Sequence, residues 1–261
     1  MGSKLFFPAE DSSVSYELNE SQLELLRWLS KRGESGLVYR EDAENKKVYL
    51  RFPNDGRKKV VEPTKEAKAT IEKVSKVWLP TTYQSQYDSN TDEGGRMCWS
   101  STGTMLAEAH KPGILKNHPK RQPGEQLDDF YLRIVQVILG GNTTDPQSHL
   151  RAMKWLGLPA HYAQDGTYAK LVELLNKGIR VGCGVLHHGY FSRPTGGGHW
   201  MAVTGYRENG DLNCCDPAGR MDLINGGYPG LGSGSNVAYN KLQWLSRWMV
   251  DGSPGWYFWI S

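Results

Sequence analysis

The sequence predicts an α+β protein in two parts, a small N-terminal α+β domain with a linker helix over residues 1–77 and a main domain over residues 78–261. Three observations lead to this prediction. After residue 78, aromatic residues and glycines replace a charge-rich pattern; apolar residues then recur at helical spacing as far as residue 178, and from residue 179 onward they alternate with polar ones. Helices followed by an antiparallel sheet are typical of an α+β domain with its helices on one side, and disfavour a doubly wound parallel sheet.

Composition and charge exclude several classes of protein. The chain has 261 residues, 38% hydrophobic and 23% charged, which is ordinary for a soluble globular protein with a sizeable core. Its net charge is only +3 and its basic residues are scattered except near residues 56–68, so we expect no nucleic-acid partner. No apolar run approaches the ~20 residues of a membrane span, and the N-terminus lacks a signal peptide's apolar centre. We therefore expect a protein that is cytoplasmic as made and has no membrane partner.

The cysteines indicate reduced thiols. The sequence contains four of them, Cys98, Cys183, Cys214 and Cys215. On a strand, neighbouring Cys214 and Cys215 would point to opposite faces, which is a poor arrangement for a disulfide. No Cys/His cluster has zinc-ligand spacing, and for Cys183 with His187 and His188 a strand cysteine followed by loop histidines is favoured over a metal site. We predict no metal and no other cofactor.

The N-terminal domain is predicted to combine one helix with a hairpin. Residues 16–32 carry an amphipathic apolar face, with Ser21 and Glu24 at the spacing of a capping box. Alternating apolar and polar residues on both sides of "NDG" at 54–56 predict a hairpin. The polar segment 62–78 is predicted to be the helix that links this unit to the main domain.

The main domain is predicted to contain four helices and then four strands. The helices are expected over residues 98–110, 125–141, 146–158 and 167–178. The strands are expected over residues 179–186, 199–207, 211–216 and 255–261. Glycine-rich loops separate the strands, the longest of them at residues 224–236.

Cys98 is the first candidate for a catalytic residue. It stands between a glycine-rich, polar approach and the helix "CWSSTGTMLAEAH". At a helix start, unsatisfied backbone N–H groups and the helix dipole favour thiolate over thiol and so raise reactivity. The alternative is a small buried core residue, since free cysteine is among the most buried residue types.

A base and its orienting acceptor can be assigned on the following strands. His199 begins the strand after three glycines, and Asp216 ends the next one, before a proline. If these strands pair as a hairpin about "RENGD", the two side chains fall at the same end of the sheet, as a base–orienter pair requires. Asp222 and Asn213 are the alternative orienters.

Two glutamines upstream of Cys98 are candidates for the oxyanion donor. Either Gln84 or Gln86, together with the backbone N–H of Cys98, could hold the oxyanion of a tetrahedral intermediate. Asp88 and Asp92 follow in "YDSNTDEGG", where a polar turn is favoured over a calcium loop because the spacing does not match an EF-hand.

These motifs in this order resemble the papain-like cysteine peptidases, in particular the branch similar to bacteriocin-leader peptidases. The similarity covers roughly residues 78–261 and is carried by "LPTTYQSQYDSN", "MCWSSTGTMLA", "GGHW", "DPAG" and a terminal "NKLQWLSRWMVDGSPGWYFWIS" like that of phage and bacterial members. It implies a papain-like fold, with Cys98 as nucleophile, His199 as base and Asp216 as orienter. It also implies Gln86 rather than Gln84 as oxyanion donor, because a tyrosine and an aspartate follow Gln86.

The predicted function is a cysteine peptidase or amidase that hydrolyses amide bonds. The substrate implied by the resemblance is a stem or cross-linking peptide of bacterial peptidoglycan, as for an endolysin-like phage enzyme that reaches the cell wall on lysis or in a virion. One alternative is a polypeptide-processing protease whose N-terminal unit docks a partner or inhibits the site. The other is a non-catalytic binding module that kept the fold, with residues 187–198 and 226–236 as recognition loops.

Overall fold

The computed structural model describes residues 3–9, 12–18, 38–42, 47–51, 75–232 and 234–261, and the chain divides into two units, Met1–Lys59 and Val60–Ser261. The strands are β1 (Ser3–Ala9), β2 (Ser12–Leu18), β3 (Val38–Asp42), β4 (Lys47–Arg51), β5 (Ser75–Trp78), β6 (Ala160–Gly166), β7 (Val181–His188), β8 (Thr195–Arg207), β9 (Leu212–Cys215), β10 (Val237–Tyr239) and β11 (Gly255–Ile260). The α-helices are α1 (Cys98–His110), α2 (Leu127–Arg133), α3 (Pro146–Trp155), α4 (Tyr168–Asn176) and α5 (Lys241–Trp248); a π-helical turn, Ile134–Ile138, follows α2 directly.

The described part of the first unit is a four-stranded sheet in the order β2-β1-β4-β3. β1 and β4 run parallel and the other pairs run antiparallel. The helix predicted from residue 16 is wrong over Tyr16–Leu18, because these residues pair with β1 as the end of β2. The rest of that helix and the predicted turn at 54–56 lie outside the described residues.

The linker helix predicted over residues 62–78 is also wrong where the structure describes it. Ser75–Trp78 form β5, which pairs antiparallel with the C-terminal end of β8. Gly205 of β8 permits this pairing, because a Cβ there would overlap the Val77 carbonyl oxygen. The conformation of these four residues is thus decided by their pairing with β8.

The second unit has the predicted α+β class. Its sheet has the order β10-β9-β8-β7-β11-β6, with β5 also on β8, and every pair is antiparallel. The four predicted helices and four predicted strands are all present, so a helical part followed by an antiparallel sheet is confirmed. The edge strand β6, the three-residue β10 and the helix α5 were not predicted. Among the described residues, no helix combines the length and apolar character needed to cross a bilayer.

Helices cover both faces of this sheet, so the prediction of helices on one side is wrong. Trp200 and Cys215 pack with α1, α2 and α3, whereas Met201 and Cys214 pack with α4 and α5. Neighbouring strand residues face opposite sides, and both sets are apolar, so each face needs a covering layer. The predicted opposite orientation of Cys214 and Cys215 is confirmed.

Helix α1 lies deep in the hydrophobic core on the face of the sheet that carries Trp200 and Cys215. Nine of its residues, Trp99–Ala107, are buried. Gly103 allows close packing, since a Cβ there would come within 3.0 Å of the Tyr131 ring on α2 and 3.2 Å of the Met153 methyl on α3. This packing fixes the helix end at which Cys98 lies.

Candidate active site

Cys98 is the first residue of α1, which follows the short 3₁₀ turn Gly94–Arg96. Its side chain is partly exposed, whereas Cys183, Cys214 and Cys215 are buried. The backbone N–H groups of Trp99 on α1 and Trp200 on β8 point at the Cys98 sulfur. The structure therefore places one accessible sulfur at a helix N-terminus, as expected for a reactive thiol.

His199 and Asp216 meet at one end of the sheet. The predicted hairpin is confirmed by the pairing of β8 with β9, and His199 Nε2 lies 2.8 Å from Asp216 Oδ1. Because Nε2 is occupied by Asp216, Nδ1 is the imidazole nitrogen left for the hydrogen bond between His199 and Cys98. Sulfur, imidazole and carboxylate thus form a chain of three groups.

The surroundings of Cys98 favour its thiolate. Burial raises the pKa of the thiol, but the hydrogen bond and positive charge of His199 lower it, and the N–H groups of Trp200 and Trp99 act in the same direction. The net effect puts the pKa of Cys98 below its ordinary value of 9.0.

The same contacts favour the protonated form of His199. Burial lowers the pKa of the imidazole, whereas the charge and hydrogen bond of Asp216, followed by those of Cys98, raise it. The net effect raises the pKa of His199 to about 10. The contacts between Cys98, His199 and Asp216 therefore shift both pKa values in the direction that favours a thiolate beside an imidazolium.

The Asp216 carboxylate is fully buried and surrounded by donors. Besides His199, it accepts hydrogen bonds from the Ala218 backbone N–H (3.1 Å), the Tyr239 hydroxyl (2.8 Å) and the Tyr228 hydroxyl (3.1 Å). These donors replace water around the buried charge. Neither tyrosine was predicted from the sequence. The local signal for Tyr228 was its place between Gly227 and Pro229 in the glycine-rich segment "GGYPG".

The two alternative orienters have other partners. Asp222 Oδ1 accepts from the backbone N–H groups of Ile224 and Asn225 and so builds a turn. Asn213 Oδ1 accepts from Arg207 Nε at 3.3 Å. The hydrogen-bond partner of His199 Nε2 is Asp216.

The structure separates the two candidate glutamines. Gln86 is buried, and its Nε2 donates to the Gly94 carbonyl at 2.9 Å, an oxygen that also accepts from the backbone N–H of Met97. Because they share this carbonyl, the Gln86 amide lies beside the first turn of α1. The Gln86 amide has two N–H groups, and only one of them is needed for the hydrogen bond to Gly94. Gln84 Nε2 donates instead to Asp88 Oδ1 at 3.3 Å, and its side chain lines a separate groove with Thr104.

Two tryptophans join the elements that carry Cys98 and His199. Trp99 follows Cys98, Trp200 follows His199, and their rings stack with centroids 4.0 Å apart. On its other face Trp99 stacks on the buried His149 ring at 4.3 Å. The stack fixes the start of α1 against β8, and with it the relative positions of sulfur and imidazole.

The two metal sites considered from the sequence, one at Cys183 with His187 and His188 and the other at Asp88 and Asp92, have no arrangement of ligands in the structure. Cys183 lies in the buried core, while the His187 ring is half-buried, with Nδ1 2.7 Å from the Gly197 carbonyl. The Asp88 carboxylate accepts a hydrogen bond from the Gln84 side-chain amide. Across the described part of the chain, no group of three or more His, Cys, Asp or Glu side chains is placed to hold a metal ion.

Comparison with known proteins gives a fold similarity only. No protein-family model and no curated protein matches the chain. Among solved structures, it is similar to a proposed C39-like peptidase from Bacillus anthracis, with 14% sequence identity, a TM-score of 0.42, and coverage of 71% of this chain and 96% of that one. In this chain, a helix that begins at Cys98 packs on an antiparallel sheet, with His199 on β8 and Asp216 directly after β9.

Proposed function

We propose that the protein is a cysteine peptidase in which Cys98 is the nucleophile, His199 the general base and acid, Asp216 the orienter and Gln86 the oxyanion donor. The observation that carries the proposal is the chain of contacts from Cys98 through His199 to Asp216, with the sulfur accessible at a helix start. Outside catalysis, a partly exposed thiol paired with a buried imidazole and carboxylate has no evident structural purpose.

The proposed reaction has two steps. The Cys98 thiolate attacks the amide carbonyl carbon, and the backbone N–H of Cys98 and the Gln86 amide donate to the resulting oxyanion. His199 gives its Nδ1 proton to the amide nitrogen as the C–N bond breaks, leaving a thioester on Cys98. His199 then takes a proton from water, whose oxygen attacks the thioester; the C–S bond breaks and the thiolate–imidazolium pair is restored.

For the substrate we propose a stem or cross-linking peptide of peptidoglycan, on the basis of the family resemblance. A polypeptide substrate is the second candidate and is favoured by a specific observation. Tyr87 and Trp256, each 43% exposed, flank the site, Tyr87 next to Gln86 and Trp256 3.6 Å from where a Cβ on Gly198 would lie. Exposed aromatic side chains beside a nucleophile suit apolar residues of a polypeptide.

The test uses the full chain, its Cys98→Ala variant and a Cys183→Ala control, with peptidoglycan sacculi and casein as substrates. We expect amide hydrolysis by the wild type and the control, and a loss of at least about a thousandfold in Cys98→Ala. Clearing of sacculi supports the peptidoglycan substrate, and casein cleavage alone supports the polypeptide one. If neither is hydrolysed and Cys98 reacts with iodoacetamide no faster at pH 7 than an ordinary thiol, both enzyme functions are overturned and the non-catalytic binding module is the alternative that is left.

A further inference from the structure

Tyr228 makes two contacts with the candidate catalytic groups. Its hydroxyl lies 3.1 Å from Asp216 Oδ2 and 3.4 Å from Oδ1. Its ring lies edge-on to the His199 imidazole, with centroids 5.3 Å apart and an interplanar angle of 62°. One side chain therefore contacts both the carboxylate and the imidazole, although it lies in the glycine-rich loop between β9 and β10.

The loop around Tyr228 is fixed on both sides. Before it, the Gly227 N–H donates to the His187 carbonyl at 2.6 Å, and the positive φ of Gly227, 80°, is a conformation that glycine adopts without strain. After it, the Gly234 carbonyl accepts from the Asp216 N–H at 2.9 Å, and a Cβ on Gly234 would overlap the Asp216 carbonyl oxygen. These contacts place the tyrosine at the site rather than in solvent.

We propose that Tyr228 is a positioning residue of the active site: its hydroxyl holds the Asp216 carboxylate against His199 and draws part of its charge, while its ring covers the imidazole. This inference rests on the proposed peptidase function. A hydroxyl that donates to a carboxylate stabilises the anion and weakens its attraction for the neighbouring imidazolium. Tyr228 thereby sets the pH at which His199 gives up its proton.

Several other titratable groups lie around His199 and Asp216. His199 faces Cys98 on α1, His187 on β7, Asp216 and Tyr228. Asp216 also faces Tyr239 on β10, Cys214 and Cys215 on β9, and Tyr83 and Tyr87 from the segment before α1. Of the tyrosines, Tyr83 provides a matched control, because its hydroxyl donates to the Asp216 backbone carbonyl at 3.0 Å and not to the carboxylate.

The test measures the charge of His199 without requiring amide hydrolysis. Cys98 is alkylated with iodoacetate and with iodoacetamide over a range of pH, and the ratio of the two rates is determined. The anionic reagent is favoured only while the neighbouring imidazole is positive, so the ratio falls as His199 deprotonates. The other three cysteines are buried, so alkylation of the folded protein reports on Cys98.

In Tyr228→Phe the midpoint of this fall is expected about half a pH unit or more above that of the wild type, because Asp216 loses a donor and attracts the imidazolium more strongly. Tyr83→Phe is expected to leave the midpoint in place, and Asp216→Asn to lower it. A midpoint present in the wild type and unmoved in Tyr228→Phe overturns the role of Tyr228 alone. A wild-type ratio that does not change with pH overturns that role together with the proposed thiolate–imidazolium pair.

Discussion

At the scale of single residues, the reactivity of Cys98 depends on one partner more than on its own position. Burial raises the pKa of the thiol, and the hydrogen bond and charge of His199 are the largest of the influences that lower it. The helix N-terminus adds to this effect through the N–H of Trp99. Without His199, the pKa of Cys98 should therefore rise and its reactivity at neutral pH should fall.

This dependence predicts the pH profile of alkylation. In the wild type, Cys98 should react with iodoacetamide at pH values below 9.0, where an ordinary thiol is mostly protonated, and lose reactivity only as the pH falls through its lowered pKa. In His199→Ala, the largest influences that lower the pKa are removed, so the pKa should rise and the rate at pH 7 should fall about tenfold or more. The rate is measured by mass spectrometry of the Cys98 peptide.

His187→Ala is the matched control for that experiment. The His187 ring lies 5.8 Å from the His199 ring, but its Nδ1 is bonded to the Gly197 carbonyl and not to the sulfur. Its removal should change the rate by less than about threefold, an effect equivalent to less than half a pKa unit. Equal losses in the two variants would contradict the assignment of His199 as the partner of Cys98.

At the scale of secondary-structure elements, α5 stabilises the loops beside the site through a buried arginine. Arg247 is fully buried, and its guanidinium donates to the backbone carbonyls of Leu223, Leu186, His188 and Gly189 at 2.7–3.1 Å. It thereby ties the end of β7 to the turn that precedes Tyr228. A buried cation loses its hydrating water, and here carbonyl oxygens from two segments take the place of that water as hydrogen-bond acceptors.

Substitution of this arginine should reduce stability. Arg247→Met leaves four carbonyl oxygens without their donor, and we expect the free energy of unfolding to fall by about 3 kcal/mol. Arg151→Met, at an exposed position of α3, should change it by less than about 0.5 kcal/mol. Urea denaturation followed by tryptophan fluorescence measures both, and similar losses in the two variants would disprove the role of Arg247.

At the scale of the whole second unit, the site lies where the helical layer meets the sheet. Cys98, the proposed nucleophile, belongs to α1. His199, the proposed base, lies on β8, and Asp216, the proposed orienter, directly follows β9. The stack of Trp99 on Trp200 crosses this junction beside the proposed catalytic groups, because each ring is one residue from one of them. Packing between the layers therefore sets the relative positions of the proposed catalytic groups.

A pair of tryptophan variants separates this role from general stability. Trp99→Ala and Trp244→Ala each remove a buried ring, the first from the core on the α1 side and the second from the core on the α5 side. Each should lower the free energy of unfolding by about 3–5 kcal/mol. Only Trp99→Ala should also slow iodoacetamide alkylation of Cys98 at pH 7, under conditions where both variants remain folded. Equal alkylation rates in the two variants would argue against the stack as a positioning contact.

What could be predicted from the sequence follows from how local each feature is. The helix at 98–110 and the strand at 255–261 depend on periodicity within a few residues, and both were predicted nearly to their ends. The segment 75–78 was assigned to the wrong type of element, because its conformation is decided by the distant edge of β8. β6 was not predicted either, because it is rich in polar residues and an edge strand needs little alternation of apolar and polar side chains.

The sequence by itself determined the order of helices and strands, the helix start that carries Cys98 and the hairpin that brings His199 to Asp216, because each depends on patterns within one or two neighbouring elements. Only the tertiary structure decided that Gln86 lies at the helix start, that Tyr228 and Tyr239 surround Asp216, and that helices cover both faces of the sheet. These features depend on contacts between segments far apart in the chain, such as Tyr83 with Gly234 at a separation of 151 residues. No local pattern specifies such contacts; packing and the need to satisfy buried polar groups do.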